Sequence, residues 1–392
     1  MLYLGCFFLW GNISVYVLSY FHYYNPDASF SFVFLVDMFL VLFNLTGYQV
    51  GTFLFKVRGW HPKIVLAIGA VLSLLGNFLS SYTTTIAPYL ACYTLMNGIG
   101  CGMCYMVPLI CGWEHLPSKR GLVTGICLGG YGFGSFIFSQ VSSALVNPDK
   151  TPVIDDPSQE VNFYPLDVAD NVPFMIRNLV YIWIGLVVVS VPMISRPAKT
   201  EVADFSVISE DYGDDIDAEK INKTETTAPL VDKSSDLHLQ DDALVKWRLR
   251  SVRYCFVSIR YWQYFMLMIF GVYGSSLLSY SYKPFGESSK THDAIDDGLL
   301  TWASSIGAGL VNGGSRVLFG ALIDKFSFHV LMTIILVTEL VCCLVFYWAA
   351  NSPVIFFCVT LVNYGVLGAY FTVLPVSVTR TFGLDLGPQV FV

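Results

Sequence analysis

Arg316 stands inside a hydrophobic run, four residues after Asn312 and four before Gly320. A guanidinium is costly to bury in an apolar span, so it normally faces a cavity or a partner and marks a substrate or ion path. There it can hold a carboxylate bidentately through two parallel N–H donors. The competing reading is a structural ion pair with an acid on another helix. Asp37 and Glu339 also fall within apolar runs and are expected to be buried. Each could carry a proton in a coupling role or pair structurally with an arginine. Asn97, Tyr105 and Tyr131 lie in glycine-rich apolar stretches and offer hydrogen-bonding groups to the same path. With Arg316 and Asn312 they make up the expected substrate-binding set.

Little else in the chain points to chemistry. His61, His115 and His329 lie at the ends of apolar runs. Cys101-Gly-Met-Cys104 has redox spacing, but it sits in a glycine-rich apolar stretch without a βαβ context. Most of the ten cysteines lie in apolar runs and act as small hydrophobes. Paired carboxylates, His/Cys clusters, a nucleophile elbow and a phosphate loop do not stand out. The chain therefore reads as no enzyme, with no catalytic residue, metal or cofactor expected.

The elements that position these residues are membrane helices. Of the 392 residues, 55% are hydrophobic and 13% charged, with a mean hydropathy of +0.60. The apolar residues come in runs of about 20, the length that crosses a bilayer as a helix. The fold class is thus an all-α integral membrane protein. Its ten expected spans are 1–21, 31–55, 63–82, 86–111, 121–146, 173–195, 261–282, 298–323, 329–349 and 353–376. The first is read as a retained span and not a signal peptide, because it lacks a basic leader and a small-residue cleavage site. Residues 379–392 are expected to form a loop that stops as a new apolar run begins.

Residues 197–245 are rich in Asp, Glu, Ser, Thr and Lys, a composition that cannot bury a core. Lys246-Trp-Arg-Leu-Arg-Ser-Val-Arg253 then puts cations and an aromatic just before the next span. That pattern suits contact with anionic lipid headgroups at 246–253. The expected organisation is a six-helix bundle at 1–196, a cytosolic linker at 197–260, and a second bundle at 261–392. The formal charge of −7 arises in the acidic loops, and no basic, aromatic-interleaved patch points to nucleic acid. A cytosolic N-terminus and central loop would put 17 of the 22 Lys and Arg residues on the cytosolic side.

The two halves echo each other. Gly98 and Gly365, then Pro108 and Pro375, correspond at one common offset, in Asn97-Gly-Ile-Gly-Cys-Gly-Met-Cys-Tyr-Met-Val-Pro108 and Asn363-Tyr-Gly-Val-Leu-Gly-Ala-Tyr-Phe-Thr-Val-Leu-Pro375. Corresponding Gly/Pro-interrupted spans in an internal repeat point to a secondary transporter with its site between the halves. For any single glycine, close helix packing is the simpler account.

Gly320-Ala-Leu-Ile-Asp-Lys325 matches the Gly-x-x-x-Asp-Arg/Lys loop of the major facilitator superfamily, and Gly51-Thr-Phe-Leu-Phe-Lys56 is a weaker copy with Phe55 in place of the acid. The chain resembles that superfamily over nearly its whole length. Within it, the chain looks most like the oxalate/formate antiporter and monocarboxylate transporter branch. Three features carry this: the placing of Arg316, Lys119-Arg-Gly-Leu-Val-Thr-Gly125, and Gly129-Gly-Tyr-Gly-Phe-Gly134.

The resemblance implies two pseudo-repeated helical bundles with the last two helices absent, and alternating access for a small organic anion, monocarboxylate or dicarboxylate. It also implies a gating role for Gly51, Lys56, Arg58, Gly320, Asp324 and Lys325 at the helix ends. Proton-coupled monocarboxylate transporters have a lysine in span one and an aspartate where Asn312 stands. This chain has neither, so the resemblance does not carry proton coupling across. The other readings are a transporter of an amino acid or sugar, and a truncated, non-transporting membrane scaffold or sensor.

Overall fold

The computed structural model describes residues 1–24, 31–151, 154, 163–197, 255–287, 295 and 297–391. The segment 246–253 and nearly all of the expected linker lie outside the described residues.

Among the described residues, helices follow one another with a single isolated bridge, between Ile154 and Phe163. Helix α1 (Trp10–Tyr24) continues a tighter 3₁₀ segment, Leu2–Leu9. Helix α2 (Ser31–Thr52) ends in the wider π turns of Phe53–Val57. The chain then reverses at Gly59, whose φ of 69° suits a residue without a Cβ. Helix α3 (Pro62–Ser80) is capped by His61, which accepts from the Lys63 N–H at 3.3 Å. Pro62 occupies the first turn, where a missing N–H costs nothing. Helices α4 (Ile86–His115), α5 (Arg120–Val146) and α6 (Val172–Met193) complete the first half.

The second half begins with α7 (Ile259–Glu287). Helix α8 stacks Asp297–Ser304, the π segment Ser305–Val311 and Asn312–Ile323 end to end. Helices α9 (Phe328–Ala349) and α10 (Pro353–Phe391) follow.

Eight of these helices are long and apolar enough to cross a membrane by length and composition. The first and seventh expected spans are not among them. Trp10–Tyr24 has only 15 residues beyond its 3₁₀ start, and Ile259–Glu287 is diluted by tyrosine, serine and charged residues. The expected C-terminal loop is also corrected. Helix α10 runs on past Thr379, breaks at Gly383 (φ 79°) and resumes to Phe391. The resumed turns fold back so closely that a Cβ on Gly387 would lie 2.6 Å from the Thr379 Cα.

The first half packs around one large apolar cluster that includes Phe21, Tyr89, Trp113 and Trp183. The Trp113 indole N–H donates to Thr124 Oγ1 at 2.8 Å, joining α4 to α5. In the second half the buried apolar residues fall into smaller groups, one of them around Tyr370 and Val373. Val188, Val189, Val337, Leu340 and Leu344 point outward, as lipid-facing positions must in a chain this apolar.

The halves meet where α5 lies against α8 along a seam of small residues. A Cβ on Gly125 would sit 3.0 Å from the Val317 Cα and closer still to the Arg316 carbonyl oxygen. A Cβ on Gly320 would sit 2.8 Å from the Gly125 Cα. The two backbones are therefore in direct contact, as small residues permit in membrane interfaces.

Candidate functional site

The seam places Arg316 in the molecule's interior, about two turns before the end of α8. The side chain is 3% exposed. Its Nε donates to Asn312 Oδ1 at 2.9 Å, one helical turn back. Its Nη1 donates to the Leu128 carbonyl oxygen on α5, across the seam, at 3.4 Å. From α10, the Phe371 ring lies 5.3 Å from the guanidinium carbon. The phenols of Tyr48, Tyr105 and Tyr131, all from the first half, lie within electrostatic reach of the charge. Tyr48 and Tyr105 have ring centroids 4.5 Å apart, and Tyr131 meets Tyr105 edge-on at 5.9 Å.

The decisive point is what Arg316 lacks. Among the described residues no carboxylate pairs with it, and its Nη2 donates to no protein group. The structural ion pair weighed from sequence is therefore not formed. Asn312 orients the guanidinium without cancelling its charge, and is itself held by donating to the Tyr364 carbonyl oxygen at 3.2 Å. What remains is a buried positive charge ringed by aromatic side chains.

The other expected site residues divide. Tyr105 and Tyr131 join Arg316. Asn97 does not, because its Oδ1 accepts from Ser73 at 2.7 Å and from Cys101 at 3.2 Å, in a polar cluster inside the first half. Asp37, expected to be buried, instead lies on an exposed face of α2 beside Phe34 and Met38. Glu339 is buried, at 7% exposure, with Tyr370 and Ser275 as its donors.

The residues expected to act as loop gates also divide. Gly51 lies within α2, backbone to backbone with Met103 of α4, and Gly320 lies within α8. Lys56 is buried and bonds to Glu114 at 3.0 Å within its own half. Glu114 also takes two donors from Arg196 and so joins α2, α4 and the end of α6. Arg58 is exposed, 5.8 Å from the Phe53 ring. Gly320 meets Gly125 across the seam, and Asp324 bridges the halves through its side chain. Its oxygens accept from the Gly121 and Leu122 N–H groups at 2.8 and 2.7 Å, and it pairs with Arg380 at 2.8 Å. Those two N–H groups are first-turn donors of α5 that no helical carbonyl satisfies, and the helix dipole favours an anion there.

Lys56→Met should lower the thermal midpoint of the purified protein, by about 1–3 kcal/mol of lost stability, because the half-buried Glu114 keeps only its exposed partner. A scan of the variant in detergent checks this.

Sequence reasoning missed Tyr48, Glu114 and Phe371. Tyr48 and Phe371 are single aromatics among many. Glu114 is an acid just past an apolar run, but nothing local in the sequence points it to Lys56.

No family model matches the chain. Apicoplast pyruvate carrier 1 of Toxoplasma gondii is 23% identical over 436 residues, covering 97% of this chain and 76% of the carrier. Monocarboxylate transporter 13 of Rattus norvegicus is 29% identical over 86 residues, a local match covering 22% of this chain and 20% of that protein. Among solved structures, the E. coli proton:xylose symporter XylE, bound to 6-bromo-6-deoxy-D-glucose, superposes with a TM-score of 0.63 at 15% identity, covering 100% of this chain and 84% of the symporter. The E. coli fucose:proton symporter FucP, in its outward conformation, gives 0.64 at 15% identity, covering 100% and 86%. These neighbours span the whole described architecture of two helical halves joined by a glycine seam, and the chain is a multi-pass membrane protein with the fold of the major facilitator superfamily of transporters.

Proposed function

We propose that this chain carries a small organic monocarboxylate across a membrane by alternating access, with Arg316 binding the carboxylate. The observation that carries the reading is the buried guanidinium with no acidic partner among the described residues. An isolated charge in a low-dielectric interior is expensive, and an anionic ligand would offset that cost. Nη2 is available to a carboxylate oxygen, while Nε and Nη1 hold the group in place. The rings of Tyr48 and Tyr105 pack on each other near the guanidinium, and Phe371 lies under it, so apolar faces and two phenol groups surround the charge. A single charge of this kind suits a monoanion better than a dicarboxylate, sugar or amino acid. Carriage of pyruvate and monocarboxylates by the relatives named above supports the same class.

The direct experiment is uptake into vesicles containing the purified chain. Pyruvate or lactate is expected to enter and to compete with each other, while dicarboxylates, neutral sugars and amino acids compete poorly. Competition by xylose and none by pyruvate would overturn the reading.

The Asp324 contacts support a latching role at one end of the seam, and the Lys and Arg distribution supports assigning that end to the cytosol. Asp324→Asn weakens two charge-assisted hydrogen bonds and an ion pair, so it should favour separation of the halves there by about 1–3 kcal/mol. A cysteine placed near Gly121 in that variant is expected to label several-fold faster from the cytosolic side.

A further inference from the structure

We infer that Glu339 is a proton-binding site whose occupancy is coupled to the anion at Arg316 through α10. The inference rests on the monocarboxylate reading for its coupling partner, though not for the site itself.

Glu339 lies midway along α9, a helix whose other faces are largely exposed and apolar. Its carboxyl turns inward and is held by two neutral donors. The Tyr370 hydroxyl of α10 donates to Oε2, and the Ser275 hydroxyl of α7 donates to Oε1 at 3.3 Å. A Cβ on Gly274 would collide with Oε1, so α7 is shaped to admit the carboxyl. Among the described residues no cation pairs with it. The titratable groups around it are Tyr370 on α10 and Cys342 and Cys343 on α9 itself. Among the described residues of α8, also packed on α9, no charged side chain pairs with it. A carboxyl with only neutral donors in a membrane interior is suited to exist in both charge states, whereas a salt-bridged one is held in its charged form.

The link to Arg316 is covalent and short. Tyr370 and Phe371 are consecutive in α10, and successive residues of a helix project about 100° apart. One touches Glu339, and the other lies under the Arg316 guanidinium. A turn or two earlier the same helix repeats the arrangement. Asn363 donates to the Ser275 carbonyl oxygen and to Ser279 Oγ on α7, each at 2.9 Å, while the Tyr364 carbonyl oxygen accepts from Asn312. Helix α10 is therefore fastened to the carboxyl's surroundings on one side and to the guanidinium's on the other.

The charge balance gives the sign of the coupling. With no ligand, the buried charges Arg316⁺ and Glu339⁻ sum to zero without touching, and α10 is what connects their surroundings. A bound carboxylate neutralises Arg316 and leaves Glu339⁻ as the uncompensated charge. Glu339 then takes one proton from water and becomes the neutral acid. On the opposite side, loss of the anion restores Arg316⁺ and favours return of that proton to water. One carboxylate and one proton move together, without net charge.

The test uses the full chain in proteoliposomes, with labelled pyruvate as the probe and a pH-sensitive dye in the lumen. An acidic exterior should raise wild-type uptake about tenfold and acidify the lumen. Glu339→Gln should lose both effects, while pyruvate–pyruvate exchange, which needs no net proton movement, stays within about threefold. Tyr370→Phe keeps the ring and removes one donor, and it should displace the midpoint of the pH profile. Proton-driven accumulation that survives in Glu339→Gln, or a wild type indifferent to the gradient, would overturn the inference. If no monocarboxylate is carried at all, the function proposed above fails instead. The site is then read by infrared spectroscopy of the purified protein. A protonated-carboxyl band that titrates in wild type and vanishes in Glu339→Gln supports the inference, and its absence from wild type overturns it.

Discussion

Arg316→Gln should cut pyruvate uptake by about thirtyfold or more, while the protein still folds and reaches the membrane. Glutamine keeps a donor for Asn312 Oδ1 and much of the side-chain length, so the contacts that orient residue 316 are largely retained. The charge is what disappears. Removing one member of a desolvated, hydrogen-bonded charge pair costs about 2–5 kcal/mol, which is roughly 30- to several-thousand-fold in binding. Because no carboxylate among the described residues pairs with this cation in the ligand-free protein, Arg316→Gln should also raise the thermal midpoint or leave it unchanged. That second readout separates a binding residue from a structural one. A structural arginine would give a lower midpoint together with the lost uptake. Arg316→Lys should recover only part of the activity, since an ammonium cannot donate to Asn312, Leu128 and a ligand in the guanidinium's planar geometry.

Gly125→Leu should produce the other large loss, by a different route. The substitution adds a branched side chain where even a Cβ would strike the Arg316 carbonyl oxygen and lie 3.0 Å from the Val317 Cα. Nothing flexible is there to yield, because the opposing atoms belong to the backbone of α8. Overpacking of this kind costs about 1–3 kcal/mol or more, and here it falls on the state in which the seam is closed. Transport should drop by about tenfold or more, with pyruvate binding affected less than its movement. Cross-linking of a cysteine pair placed across the seam checks this directly, since the link should form readily in the parent and slowly in the variant. Efficient cross-linking in Gly125→Leu would show that the seam tolerates the side chain.

The membrane architecture was legible because bilayer thickness forces apolar runs of a fixed length, and composition reports that directly. Pro108 and Pro375, paired by one offset in the sequence, both fall inside long helices. Arg316 stood out because a guanidinium in an apolar run is rare. Asp37 looked equivalent to Glu339 by that criterion, yet it turns outward while Glu339 turns inward. Which way a helix face points depends on neighbours that are remote in sequence. Asn97 shares its glycine-rich span with Tyr105, but its partners, Ser73 and Cys101, take it into a separate cluster. Lys56 followed the loop pattern of Lys325 and still ended in an ion pair within one half. The deciding residue was Glu114, whose approach to Lys56 no local motif encodes. Charge type was readable from the chain, whereas partner choice required the packed structure.

The fold-back at Gly383 gives the Asp324 end a second fastening of a different kind. Leu384 and Phe391 pack against the apolar cluster of the first half, and Phe391 also packs against clusters of the second. The two fastenings answer oppositely to the medium. Dissolved salt screens the partly exposed contact between Asp324 and Arg380, whereas excluded salts such as sulfate strengthen apolar contacts. Contact at this end therefore rests on two interactions of different salt response, and sodium chloride and sodium sulfate at matched ionic strength should shift it by different amounts.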